Sequence, residues 1–178
     1  HWKQMSVGMK SMLAMTLHRA GRRDDARLVW DSVMDAARSE KDRGMFWAQE
    51  DRSWLWYNDT IETHAFALRT LMELDPKSQK LDGLVLWLFL NKKMNHWKST
   101  RATADVIYAL ANYLKKTGQL GVREAATVQV AGQTTQFVFE PDKYTGKKNQ
   151  IVIPGDKMDP QTSSTVTVSK DTPGQLFA

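Results

Sequence analysis

The sequence predicts an α+β chain: an array of αα-hairpins over residues 1–120, then a small antiparallel β module over residues 121–178. Three observations carry that prediction. Apolar side chains recur at helical spacing through residues 2–114. The pattern of one helix returns in another, because Leu13-Ala14, Leu17 and Gly21 are spaced like Leu110-Ala111, Leu114 and Gly118. Past Gly121 the period drops to two, with Val, Ile and Phe alternating against Thr, Gln and Ser.

Taken in order, Met5, Met9, Met12, Leu13 and Leu17 define a first helix over 2–20, with the methionine face as core filler and Gly21 as the stop. Asp24 or Asp25 caps a second helix. Its stripe of Ala26, Val29, Trp30, Val33, Met34 and Ala37 is backed by Arg27, Asp31, Asp35 and Arg38, as expected of an outer helix with one wet face. The two form an αα-hairpin around Gly21-Arg22-Arg23. Residues 44–59 break the helical pattern, and the alternation of Trp54 and Trp56 points to an extended or hairpin-like excursion. Asp59 and Glu62 then make a capping box for a third helix bearing Ile61, Ala65, Leu68, Leu71 and Met72. His64 sits beside that face and is expected to be a hydrogen-bonded core residue. Asp75-Pro76 ends the third helix and starts a fourth, which carries the apolar block 84–90 as far as Lys92-Lys93.

The stretch 95–114 comprises a Trp-containing loop, a Ser/Thr cap and a helix apolar on nearly every side. A helix of that kind is buried all round, so other helices are expected to enclose it. In the tail, residues 127–130 and 136–139 flank a hairpin turn at Ala131-Gly132-Gln133-Thr134. Residues 150–153 and 164–168 read as two further strands, giving an antiparallel sheet wet on one side. So few strand residues cannot build a large independent core.

Composition narrows the function classes. Lys and Arg number 25 against 20 Asp and Glu, but they are spread along the chain rather than massed in the stripe that tracks phosphates, which argues against nucleic acid as a partner. There is no cysteine, which removes disulfide scaffolds, thiol catalysis and Cys-ligated metals together. The longest apolar run is far short of the ~20 residues that span a bilayer, so direct membrane insertion is not expected. The chain opens inside a helical pattern at His1-Trp2-Lys3 and closes inside a strand-like one, from which we expect a piece of something longer.

Candidate chemistry is sparse. Seven Trp stand against four Tyr, and Trp47, Trp54, Trp56, Tyr57 and Trp97 are the candidates for an aromatic binding surface for sugar or peptide. The competing expectation is that these rings plug one end of the helical array, because so apolar a loop must pack somewhere. Glu50, Asp51, Asp59 and Glu62 lie near them, yet carboxylates at a helix start are explained by capping and the dipole. His1, His18, His64 and His96 show no metal spacing. Ser53, Ser99 and Thr103 lie in no nucleophile motif. No catalytic residue, metal site or cofactor is expected.

A resemblance adds to this reading. The segment 87–93 followed by His96-Trp97-Lys98-Ser99-Thr100-Arg101-Ala102-Thr103-Ala104 and Tyr108-Ala109-Leu110 resembles the bacterial alpha-2-macroglobulin family. That family carries a Trp-x-x-Thr-x-Ala-Thr-Ala pattern in the last helices of the thioester-domain α/α toroid, a fold of the terpenoid-cyclase kind. Ile61-Glu62-Thr63-His64-Ala65 looks like the family's Ile-Glu-Thr-Gln-Ala inner helix, with His64 where Gln is usual. The tail is similar to the strands that lead to the family's C-terminal receptor-like domain. The resemblance implies part of a periplasmic, cell-envelope or extracellular inhibitor that traps endopeptidases. Its partners would be those endopeptidases and the neighbouring domains of its own chain. The thioester motif Cys-Gly-Glu-Gln is not in this sequence, so no covalent chemistry is carried over to any residue. Two other functions compete: an α/α-toroid enzyme acting on polysaccharide or isoprenoid, and a helical-repeat scaffold for partner peptides.

Overall fold

A computed structural model of the chain describes residues 1–47, 60–94, 96–143 and 149–173. The fold is mixed α+β, with five α-helices and two small antiparallel sheets among those residues. The chain divides into two compact units, His1–Lys116 and Thr117–Ala178.

The first unit is built around one helix. Helix α1 (Val7–Arg19) starts at Ser6, whose hydroxyl accepts the Met9 N–H at 3.3 Å. It ends in a Schellman motif: Arg22 N–H bonds Leu17 O, Gly21 N–H bonds His18 O, and Gly21 has φ +79°. Helix α2 (Arg23–Met34) returns along α1 and buries Ala26, Val29, Trp30 and Val33, four positions of the predicted outer-helix stripe; it ends at Met34, short of Ala37 and Arg38. A short hairpin follows, β1 (Arg38–Glu40) paired antiparallel with β2 (Gly44–Phe46). Helix α3 (Thr60–Leu74) contacts α1, α4 (Lys80–Leu90) and α5 (Thr100–Lys116), while β2 lies on α4.

Enclosure by three helices explains why α3 buries nine of its residues, polar Glu62, His64 and Thr70 among them. Burying Leu68, Leu71 and Ile61 stabilises the unit by roughly 1.5–3 kcal/mol each. The buried hydroxyls stay paired within their own helices: Thr70 donates to Phe66 O at 3.0 Å, and Ser11 to Val7 O at 2.8 Å. Helix α5 is fastened at both ends. Ser99 accepts the Ala102 N–H at 3.0 Å, and near the other end Tyr113 donates to Asp82 Oδ1 of α4 at 2.6 Å.

Several sequence expectations change. Neither Asp24 nor Asp25 caps α2, because its N-cap is Arg22, without a side-chain cap bond, and both acids lie inside the first turn. The methionine face is not core: Met9 and Met12 are about half exposed, and α1 buries Gly8, Ser11, Ala14 and Met15 instead. Small residues let α1 approach α3 closely, since a Cβ on Gly8 would lie 3.1 Å from Thr63 Oγ1. Residues 2–4 form a separate 3-10 turn, because the helix proper begins only after the Ser6 cap. Helix α4 begins at Lys80, beyond Pro76. Helix α5 is not enclosed. It buries the stripe Ala102, Val106, Ala109, Leu110 and Tyr113, while Ile107 and Tyr108 face solvent at 55% and 56% exposure.

In the second unit, β3 (Glu124–Val130) is central, between β4 (Gln133–Phe139) and β5 (Val166–Lys170), all antiparallel. The β3–β4 turn is Ala131-Gly132, both at positive φ, as a two-residue I′ hairpin requires. Register puts Val128, Val130, Phe137, Val166 and Val168 on one face and Thr127, Gln129, Gln136, Thr167 and Ser169 on the other. Asp171 closes the polar face by accepting from Thr127 Oγ1 at 2.7 Å and Gln136 Nε2 at 2.9 Å, and these bonds hold its carboxyl below the ordinary range. Residues 150–153 do not form the expected strand, since no ladder partner lies beside them among the described residues.

Candidate functional site

The two described members of the proposed aromatic surface, Trp47 and Trp97, lie in the core at 3% and 4% exposure. Trp54, Trp56 and Tyr57 lie outside the described residues, as do Glu50, Asp51, Ser53 and Asp59. A buried indole must place its N–H on an acceptor, and both do so on main-chain carbonyls. Trp47 Nε1 donates to Val33 O at 2.8 Å, and Trp97 Nε1 donates to Leu88 O at 2.7 Å. Each Trp therefore ties an extended segment to the end of a helix. Trp97 is held a second time, by its own N–H on Thr103 Oγ1 at 3.0 Å.

Replacing Trp97 with Phe removes the indole donor, orphans the Leu88 carbonyl and leaves part of the ring's volume empty. The expected cost is about 2–3 kcal/mol. A lowered urea midpoint with an unchanged far-ultraviolet circular dichroism spectrum is the expected readout.

His64 is buried among ring contacts and bonds through both of its nitrogens. Its ring stacks on Trp87 at 3.6 Å between centroids and 13° between planes, and Trp47 meets it edge-on at 5.1 Å and 60°. Nε2 accepts the Trp47 backbone N–H at 3.2 Å, which fixes the tautomer: the proton is on Nδ1, which donates to Thr60 O at 2.6 Å. Burial drives the imidazole pKa from its ordinary 6.5 down to about 4, against an opposing push from the Thr60 hydrogen bond. Both nitrogens are occupied, Trp87 stacks on the ring and Trp47 stands edge-on to it. The imidazole is a fastener joining the end of β2 to α3 and α4, as the sequence led one to expect of a core histidine.

Glu62, the one described member of the candidate carboxylate group, is 8% exposed and faces Arg101 Nε at 3.4 Å. Arg101 also lies 4.0 Å from Asp105, one turn along α5. A carboxylate held by a guanidinium in this way joins α3 to α5. On the outer stripe of α3, Arg69 lies over two rings, 5.1 Å from the Phe66 centroid and 4.6 Å from that of Tyr108. Among the described residues no group of His, Asp and Glu converges as a metal site, and no helix is long and apolar enough to cross a membrane.

Sequence reasoning missed the contact that places this cluster. Gly44, buried and at φ +74°, lies so close to α4 that a Cβ on it would stand 2.3 Å from Gly83 O. The available signal was Gly83 itself, a glycine inside an apolar helical run, which marks close approach of another backbone. No protein-family model matches the chain, and no curated protein matches it.

Proposed function

We propose that the chain is part of the α/α toroid, with the strands that follow it, of a macroglobulin-like endopeptidase inhibitor, and that its role is architectural rather than catalytic. The observation that carries this reading is the position of the family-like segments. Ile61-Glu62-Thr63-His64-Ala65 opens α3, the helix enclosed by its neighbours, and Trp97 with Thr103 organises the entry to α5. The antiparallel sheet after α5 is in the order that the family's C-terminal strands follow its toroid. The polar residues of these segments are used in holding elements together, which suits a domain that transmits a conformational change. The partners are endopeptidases, caught after cleavage of a bait region elsewhere in the inhibitor, and the domains adjoining this one. The compartment is periplasmic, cell-envelope or extracellular, as that role requires.

The test is retention of protease by the complete protein. After incubation with a panel of endopeptidases, the inhibitor reading expects cleavage of a large protein substrate to fall while cleavage of a small peptide substrate persists. If the protein neither binds nor slows any endopeptidase of the panel, the reading is lost.

A further inference from the structure

At the end of the first unit where α1, α2, α3 and α4 meet, a cavity of about 590 Å³ opens to solvent. Its size falls in the range of roughly 300–1,000 Å³ typical of ligand pockets. The floor is apolar: Trp30 and Leu71 are almost fully buried beneath it, while Met34 and Leu74 are half-buried and still offer surface. The rim carries Arg23, Arg27 and Lys80. Neighbouring cations are already committed, Arg19 to Glu73 and Arg22 to Asp25, at 2.7 Å each. Among the described residues no carboxylate lies within ion-pair distance of the three rim cations.

We propose that this cavity binds a short acidic peptide segment, with an apolar side chain on the Met34–Leu74 floor and a carboxylate among Arg23, Arg27 and Lys80. Charge selects the acid. The rim also presents acceptors, the carboxylates of Asp31 and Asp75. A peptide supplies N–H donors to such acceptors as well as acidic and apolar side chains, whereas a simple fatty acid supplies none. The site lies apart from the His64 cluster and does not depend on the inhibitor reading, so either can fail alone.

The probes are acetylated, amidated Leu-Glu-Phe-Glu-Leu, the same peptide with Lys in place of Glu, and decanoate, each titrated calorimetrically into the full chain. The acidic peptide is expected to bind with a Kd below about 1 mM and the Lys peptide at least ~10-fold more weakly, as for a site whose charges discriminate. Backbone amide shifts should cluster on the cavity lining. Reversing the rim with Arg27→Glu and Lys80→Glu, both at exposed positions, should invert the preference between the peptides. The proposal is overturned if the two peptides bind the unaltered chain equally, if neither binds, or if the shifts fall elsewhere. Decanoate binding as tightly as the acidic peptide overturns it too, because the acceptors of the rim would then have no part in recognition.

Discussion

Gly44→Ala is expected to cost the first unit about 4 kcal/mol, and to leave the β1–β2 hairpin unseated even where the helices survive. Two separate penalties combine. At φ +74° any side chain meets the left-handed penalty of about 1–2 kcal/mol. The added methyl would also stand 2.3 Å from Gly83 O and 2.9 Å from Trp87 N, both main-chain atoms of α4 that no rotamer change can clear. The strand must then lift, and Trp47, three residues further on, is the donor to both Val33 O and His64. Total stability for a domain is about 5–15 kcal/mol, so the variant sits near the edge of folding. Gly21→Ala is the control. Its φ of +79° is nearly the same, but nothing lies within 4 Å of the added carbon, so only the conformational cost remains. Urea midpoints measured on both variants separate the terms. Equal losses would mean that the hairpin is free to move off α4 and that the glycine contact holds nothing.

The order of helices and strands was legible because it depends on periodicity. In α2 four of the six stripe positions are buried, while Met34 is half-buried at the helix end and Ala37 lies beyond it. Periodicity failed where residue type and environment part company. Ile107 and Tyr108 made α5 look apolar all round, yet they are exposed, and Tyr108 spends its ring on Arg69. In α3 the polar residues Glu62, His64 and Thr70 disguised the helix that is in fact enclosed, because each finds its partner inside the fold. Strand β1 is Arg38-Ser39-Glu40, exposed throughout and without β-forming side chains, so only its pairing with 44–46 makes it a strand. The same limit applies to the aromatic candidates. Sequence identifies Trp47 and Trp97 as unusual, but whether an indole faces solvent or a carbonyl is decided by elements distant in the chain.

The second large effect concerns acid. His64 is expected to make the first unit lose about 3 kcal/mol of stability between neutral pH and pH 4. The imidazole is neutral in the fold, with a pKa of about 4 set chiefly by burial, and returns to the ordinary 6.5 when the chain unfolds. Between those values the unfolded chain takes up a proton that the folded one refuses. The contribution is therefore complete above pH 6.5, declines as pH falls, and is gone below pH 4. At about 1.4 kcal/mol per tenfold change in proton affinity, the interval from 6.5 to about 4 is worth about 3.5 kcal/mol in full, of which about 2 is lost by pH 5 and about 3 by pH 4. Glu73, Glu124 and Asp171, whose carboxyls are held low by Arg19, by Thr172 and Lys170, and by Gln136 and Thr127, act in the same direction at more acid pH. The discriminating variant is His64→Gln, which offers an acceptor to Trp47 and a donor to Thr60 but does not titrate. It gives up the stack on Trp87 and starts lower at pH 7, but its stability should be flatter down to pH 5. Parallel profiles for the two proteins over that range would rule out His64 as the source. Hydrogen exchange supplies a local reading of the same event. A proton on Nε2 removes the acceptor of the Trp47 amide, so that amide should lose protection with acid ahead of the amides inside α3, and the β1–β2 hairpin should be the first element to leave the helices.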